Sequence, residues 1–387
     1  MDSVFSAIPE AGIPFSNEEY KRRHERVSAA IQNANLDALI VTAHGHLRYL
    51  TGYSGFGAYF APFPLILVPG EQPVFVVREF EVSTVQAESC VDEIIAYTQQ
   101  RDLYRACADA LRQRGLENAR IGFELGCYNL VPNDVSALQA ELPNMKVADA
   151  TSLVALVAAV KSPAEIDAMR GSIALTDIGV RTFQSALREG VSELEVCKQI
   201  QDEFYKSGGT IYEGPTLVFG ERTRLSHGSP SHNKLQNNDP ALMEIGAVLK
   251  HGYVAGLIRT AVLGRNNETE SIHALAEEAL QAAIDAVKPG VTAGEVDAAA
   301  RKVTERSGRH RVFRHRTGYQ TGIHWLERGN LSLEPGAQDV LQVGMIFHVQ
   351  SYLFGESGRM CGCSEQVLVS ERGAEILSST PHTLYRV

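Results

Sequence analysis

One segment of the chain occurs twice. Residues 190–196 read GVSELEV and residues 290–296 read GVTAGEV. Each copy opens a helix with a capping box, Ser192 with Glu195 and Thr292 with Glu295. In such a box the hydroxyl accepts from the third helical N–H, and the carboxylate reaches back to the first free one. Each predicted helix closes on a basic residue, a serine and a glycine: Lys206-Ser207-Gly208 and Arg306-Ser307-Gly308. The offset is 100 residues at every matching position, as from Ser192 to Thr292. Strand-like sequence follows each unit: TLVFG at 216–220 and ALMEIGAVL at 241–249, then GMIFHVQSYLF at 344–354 and EQVLVS at 365–370. The spacing therefore predicts two α+β halves related by a pseudo-twofold. The cleft between repeated halves is a favoured place for a ligand.

The sequence before the repeat has a different rhythm. LDALIVTA at 36–43 reads as a buried strand, LILVPGEQPVFVV at 65–77 as a hairpin turning at Pro69-Gly70, and RIGFELG at 120–126 as a further strand. Residues 100–115 have helical spacing, and strands alternating with helices indicate an α/β domain. The boundary lies at Ser162-Pro163-Ala164-Glu165, a capping box with proline at the first helical position. At 387 residues the chain is long for one core, so domains are expected over 1–157 and 158–387.

Composition excludes some functions. The formal charge of −10 argues against nucleic acid and anionic membrane as partners, since both demand a basic surface. No window approaches the ~18–20 apolar residues of a membrane helix, and no signal peptide is visible at the start. A cytoplasmic protein is expected, with its six scattered cysteines reduced.

Side chains with chemical capacity fall on the predicted strands and loops of the second half. They are His227, Glu244, Tyr253 and Arg259, then His315, Tyr319, His324, Trp325 and Glu327, then His348, Gln350, Ser364 and Glu365. Their signatures come in a fixed order: SHGSPSHNKLQNND with EIG after it, GY with RT, HRTGYQTG, GM-x-F, and SEQVLV. In that order the chain resembles the pita-bread family of creatinase, prolidase and aminopeptidase P. The resemblance implies an N-terminal α/β creatinase-like domain followed by a C-terminal pseudo-twofold pita-bread domain, in a homodimer.

Metal-dependent members of that family hold two ions with two aspartates, a histidine and two glutamates. By resemblance those places fall here on Glu244, Gly256, Tyr319, Gln350 and Ser364. One carboxylate, one phenol, one amide and one hydroxyl cannot replace the water shells of two divalent ions. No metal and no cofactor are therefore expected. The ectoine hydrolase branch is similar in Glu244, in Arg316 to Tyr319, in Trp325, Glu327 and Arg328, and in Phe347-His348. It implies hydrolysis of an amidine-type C–N bond in a small zwitterion. The segment before Trp325 is shorter here than in that branch, and Ile258 and Gln350 stand where creatinase carries guanidinium-binding glutamates.

His227 lies where the family carries a substrate-proximal imidazole, and a group titrating near neutrality suits acid/base work. Glu244 has two roles open to it, binding the cationic nitrogens of an amidine or attacking carbon. Tyr319 can donate to a developing oxyanion. Arg259 or Arg316 suits a substrate carboxylate, Arg259 being as readily a structural partner of Glu244. Trp325 suits a cation–π contact. Glu327, His315, His348 and Gln350 complete the expected substrate shell, with Tyr53 and Tyr59 of the N-terminal domain as further walls. The competing readings are a metallopeptidase with atypical ligands and a non-catalytic binding protein.

Overall fold

A computed structural model of the chain describes residues 12–55, 62–309, 311–323 and 330–387. Two compact units are present, one running to Ala158 and the other beginning at Ala159.

In the first unit, Ser16 caps helix α1 (Asn17–Asn33) by accepting the Glu19 N–H at 3.3 Å. Strand β1 (Ala38–Val41) is followed by α2 (His44–Thr51), β2 (Leu65–Leu67), β3 (Val74–Arg78), α3 (Val82–Glu88) and β4 (Glu93–Tyr97). Then come α4 (Leu103–Arg112), β5 (Arg120–Phe123), α5 (Pro132–Glu141), β6 (Lys146–Asp149) and α6 (Leu153–Ala159). The six strands form one mixed sheet in the order β4-β3-β2-β1-β5-β6. β1 is apolar and buried throughout and lies inside the sheet, with β2 antiparallel on one side and β5 parallel on the other. The β2–β3 hairpin turns through Gly70, whose φ of +84° suits a residue without a Cβ.

The second unit opens with the expected capping box. Ser162 accepts the Glu165 N–H, Glu165 returns to the Ser162 N–H, and helix α7 (Pro163–Ala186) follows. The repeated segments give α8 (Glu193–Lys206) and α10 (Ala293–Arg306), helices of equal length at the predicted offset. One half adds β7 (Thr210–Ile211), β8 (Thr216–Phe219) and the long hairpin β9 (Pro240–Val248) and β10 (Val254–Val262). The other adds α9 (Asn267–Ala286), β11 (Gly318–Gln320), β12 (Ser332–Leu333) and the hairpin β13 (Ile346–Phe354) and β14 (Met360–Ser370), then β15 (Gly373–Ile376) and β16 (Tyr385–Arg386). The sheets run β16-β10-β9-β7, with β8 also on β9, and β12-β11-β13-β14-β15.

The two sheets of this unit meet along β10 and β14 through side chains. Ser364 Oγ accepts the Ile258 N–H at 2.8 Å, Gln366 Nε2 donates to Gly256 O at 3.1 Å, and Thr260 Oγ1 donates to Gly362 O at 2.8 Å. The paired positions step by two on each strand, so the bridging groups come from one face of each. All six cysteines are free thiols. Among the described residues no helix is long and apolar enough to cross a membrane.

Candidate active site

The strands of the second unit decide which side chains share a face. Glu244 pairs with Ile258 across the β9–β10 hairpin. Gln350 pairs with Ser364, and His348 with Gln366, across β13–β14; Tyr319 of β11 pairs with His348. Side chains alternate along a strand, so His348, Gln350 and Tyr352 leave β13 on one side, with Ser364 and Gln366 beside them. Four strands, β9, β11, β13 and β14, thus supply Glu244, Tyr319, His348, Gln350, Tyr352 and Ser364.

Glu244 receives a hydrogen bond from the Tyr352 hydroxyl at 3.1 Å. It keeps a little accessible surface but is surrounded by protein. Desolvation pushes its carboxyl above the usual carboxylate range, against the opposing pull of Tyr352 and of the His227 ring. The Tyr319 hydroxyl lies 3.1 Å from His348 Nδ1, and His348 Nε2 lies 2.7 Å from Ser364 Oγ. Burial first, then the charge of Arg259, pulls the His348 imidazole down to about 3, so it is neutral at physiological pH. Burial also raises the Tyr319 and Tyr352 phenols, which stay protonated donors.

His315 Nδ1 sits 2.8 Å from both Gln350 Nε2 and Arg316 O. Arg316 lies over the Tyr319 ring, 4.4 Å from its centroid, and its Nη1 reaches Ser332 Oγ at 3.2 Å. Its charge is near enough to act on both Tyr319 and His348.

His227 sits on the loop between β8 and β9. It is exposed, and near enough to Glu244 and His315 for its charge to act on both. Its φ is +57°, one of three positive values among the described non-glycine residues. Such a backbone costs on the order of 1 kcal/mol and persists only where the surroundings impose it. Gly228 follows because a Cβ there would meet Val218 Cγ1 at 2.6 Å.

The loop that carries His227 is held by Glu193, the first residue of α8 and fully buried. Its carboxylate accepts from Phe219 N at 2.8 Å, Ser231 N at 2.9 Å, Ser231 Oγ at 2.7 Å, Asn233 Nδ2 at 3.1 Å and Arg222 Nε at 3.1 Å. It ties both ends of the His227 loop to one helix. Asp297 of α10 does the same in the other half. It accepts from Thr317 Oγ1 at 2.7 Å and from Arg301 Nε at 2.6 Å, and Arg301 Nη2 holds His315 O at 2.9 Å.

Two expectations need correction. Arg259 neither pairs with Glu244 nor faces the substrate side. It lies one residue past Ile258 and so points to the opposite face, buried, where Nη2 meets Glu365 Oε1 at 3.1 Å and Thr380 O at 2.8 Å. Tyr53 packs inside the first unit, its ring 5.8 Å from that of Phe75 and 6.2 Å from that of Phe63. Tyr59, His324, Trp325, Glu327 and Arg328 lie outside the described residues. Glu193, Asp297 and Tyr352 were not anticipated. Only Tyr352 had a signal, the period of two from His348 through Gln350.

The family's two metal ions do not fit this donor set. Of the two carboxylates on β9, β10, β11, β13 and β14, Glu365 faces away. Gly256 offers no side chain, and both nitrogens of His348 are already engaged. Among the described residues no three histidine, cysteine, aspartate or glutamate side chains converge as a metal site.

Residues 167–371 match the model of metallopeptidase family M24, and residues 23–159 match that of the creatinase/prolidase N-terminal domain. A hydrolase/peptidase of Sinorhizobium fredii is 29% identical, over 96% of this chain and 97% of its own. The ectoine hydrolase of Halomonas elongata is 27% identical, over 97% and 99%. The crystal structure of dipeptidase PepE from Mycobacterium ulcerans superposes with a TM-score of 0.86 at 28% identity, over 96% and 99%. The expected architecture, a creatinase-like domain before a pita-bread domain, agrees with these matches.

Proposed function

The chain belongs to metallopeptidase family M24, and we propose that within this family of hydrolases it cleaves a non-peptide C–N bond, of amidine or lactam type, in a small zwitterionic metabolite without a metal. One observation carries the reading. The places that would ligate metal hold Glu244, Gly256, Tyr319, Gln350 and Ser364; Gly256 has no side chain, and the other four side chains hydrogen-bond protein groups instead. The similarity to an ectoine hydrolase supports the substrate class.

In this reaction His227 takes a proton from water as its oxygen adds to the carbon. It then returns a proton to the nitrogen as the C–N bond breaks. Exposure and a fixed loop suit that traffic. Glu244 either holds the cationic nitrogens or adds to carbon itself, giving a covalent intermediate that water resolves. Its raised affinity for a proton reflects a carboxylate short of compensating charge, which a substrate cation supplies. Tyr319 donates to the oxygen that gains charge, and Arg316 beside it suits a substrate carboxylate. A homodimer in the cytoplasm belongs to the same reading, and light scattering of the purified chain tests the dimer.

A second reading, a metal-dependent dipeptidase, is favoured by the similarity to PepE. Proton NMR separates the two. The protein is incubated with chelator and a pool of amidine and lactam zwitterions that includes ectoine and creatine. Ring opening or another C–N cleavage supports the proposal. Cleavage of dipeptides alone, and only with metal restored, overturns it.

A further inference from the structure

We infer that Ser364 fixes His348 as its Nδ1–H tautomer and thereby makes Tyr319 an obligate hydrogen-bond donor to a group other than His348. Ser364 would then be a positioning residue that acts through two others. The inference deepens the proposed role of Tyr319 and rests on that reading for its catalytic meaning, though not for its test.

A serine hydroxyl has one proton to give and two lone pairs to receive with. Ser364 is fully buried, and its Oγ has two neighbours among the described residues, the Ile258 N–H at 2.8 Å and His348 Nε2 at 2.7 Å. A backbone N–H can only donate, so it takes one lone pair. If His348 Nε2 also carried a proton, Ser364 would accept twice, and its own buried proton would have no acceptor. A buried donor left unpaired disfavours that arrangement by on the order of tenfold or more. The Ser364 proton therefore goes to Nε2. His348 is neutral and has one ring proton, which must then sit on Nδ1.

Nδ1 lies 3.1 Å from the Tyr319 hydroxyl oxygen. With Nδ1–H donating, that oxygen accepts, and the phenolic proton turns to a third group. The T-shaped packing of the two rings, centroids 5.5 Å apart and planes at 87°, holds this geometry. Tyr319 is also near enough to Glu244 for the carboxylate to raise its phenol, so the proton is directed toward the side of the site where Glu244 lies. With the opposite tautomer, Nδ1 would be an acceptor that captures the Tyr319 proton and silences it as a donor. A hydroxyl at position 364 thus decides what Tyr319 can do.

The test needs no substrate. The whole protein is labelled with 15N-histidine, and two-bond 1H–15N correlation spectra are recorded near neutral pH, His348→Gln identifying the ring. The expected spectrum has a pyrrole-type Nδ1 and a pyridine-type Nε2 for His348. Ser364→Ala should move the ring toward the Nε2–H form or a mixture, whereas Tyr319→Phe should leave the tautomer unchanged. A wild-type ring found as Nε2–H overturns the inference. So does an Nδ1–H ring that persists in Ser364→Ala, because Ser364 would not be its cause. Either result stands whether or not the proposed hydrolysis is observed. Once a substrate is known, Ser364→Ala should lower kcat at least tenfold with KM within about threefold.

Discussion

Replacing Glu193 by glutamine is the sharpest probe of how the His227 loop is held. The carboxylate is fully buried and accepts from five donor atoms. Oε1 serves Phe219 N and Asn233 Nδ2; Oε2 serves Ser231 N and Ser231 Oγ. Glutamine turns one oxygen into an NH2 group, so in one orientation the buried Phe219 N–H and in the other the half-buried Ser231 N–H faces another donor. Leaving it unpaired costs about 1–3 kcal/mol. Losing the charge opposite Arg222 and weakening the remaining bonds brings the total to roughly 3–5 kcal/mol. For a unit of this size that lowers Tm by roughly 10 °C. Glu195, two residues away, is the control, because its cap survives as glutamine and should cost about 0.5 kcal/mol or less. Thermal unfolding followed by circular dichroism gives both numbers. A Glu193→Gln protein melting within about 2 °C of Glu195→Gln would refute the claim that this carboxylate braces the loop.

Further outcomes follow from the same geometry. His227→Ala should reduce turnover about 10²–10⁴-fold, the usual range for loss of an acid/base group, with Tm nearly unchanged; unimpaired turnover removes His227 from the chemistry. Glu244 binds a proton more tightly folded than unfolded, so it lowers stability as pH rises above its ordinary value of 4.5. Glu244→Gln should therefore raise Tm at pH 7–8 and lose that advantage near pH 4, as read from melts across the range. His348 has the opposite sign. With a folded value of about 3 against an ordinary 6.5, its contribution is complete above pH 6.5 and is lost as pH falls toward 3. His348→Gln should flatten the acid limb of the stability curve, and an unchanged limb would show that His348 does not supply it.

Much of the architecture was legible in the sequence because it is written in local signals. Capping boxes set the starts of α7, α8 and α10, terminal glycines set the ends of α8 and α10, and the repeat related the two halves. The site was legible only where strand parity was not needed. Arg259 shows why. Whether it joins Glu244 depends on the register of a hairpin whose turn, residues 249–253, has no diagnostic pattern, and a slip of one residue exchanges the two faces. In the observed register Ile258 takes the place opposite Glu244, and Arg259 turns to Glu365. Glu193 is a different case. It sits beside the capping residue Ser192 and reads as a solvent-facing acid of the first turn. Its burial is produced by a loop 26 to 40 residues further on, and nothing local announces that.

The seam between β10 and β14 limits how this protein can evolve. The halves are joined there by the side chains of Thr260, Ser364 and Gln366, each bonded to a backbone group across the gap. Positions 364 and 256 are also two of the places where the resemblance implies a metal ligand in metal-dependent members of the family. Chemistry and joinery therefore draw on the same few positions. A mutation that restores a carboxylate at 364 must still receive the Ile258 N–H, and one that enlarges 256 must leave room for Gln366. Routes toward a carboxylate-rich site at these positions thus pass through sequences with a loosened seam, and the seam favours small hydrogen-bonding side chains there whatever the substrate.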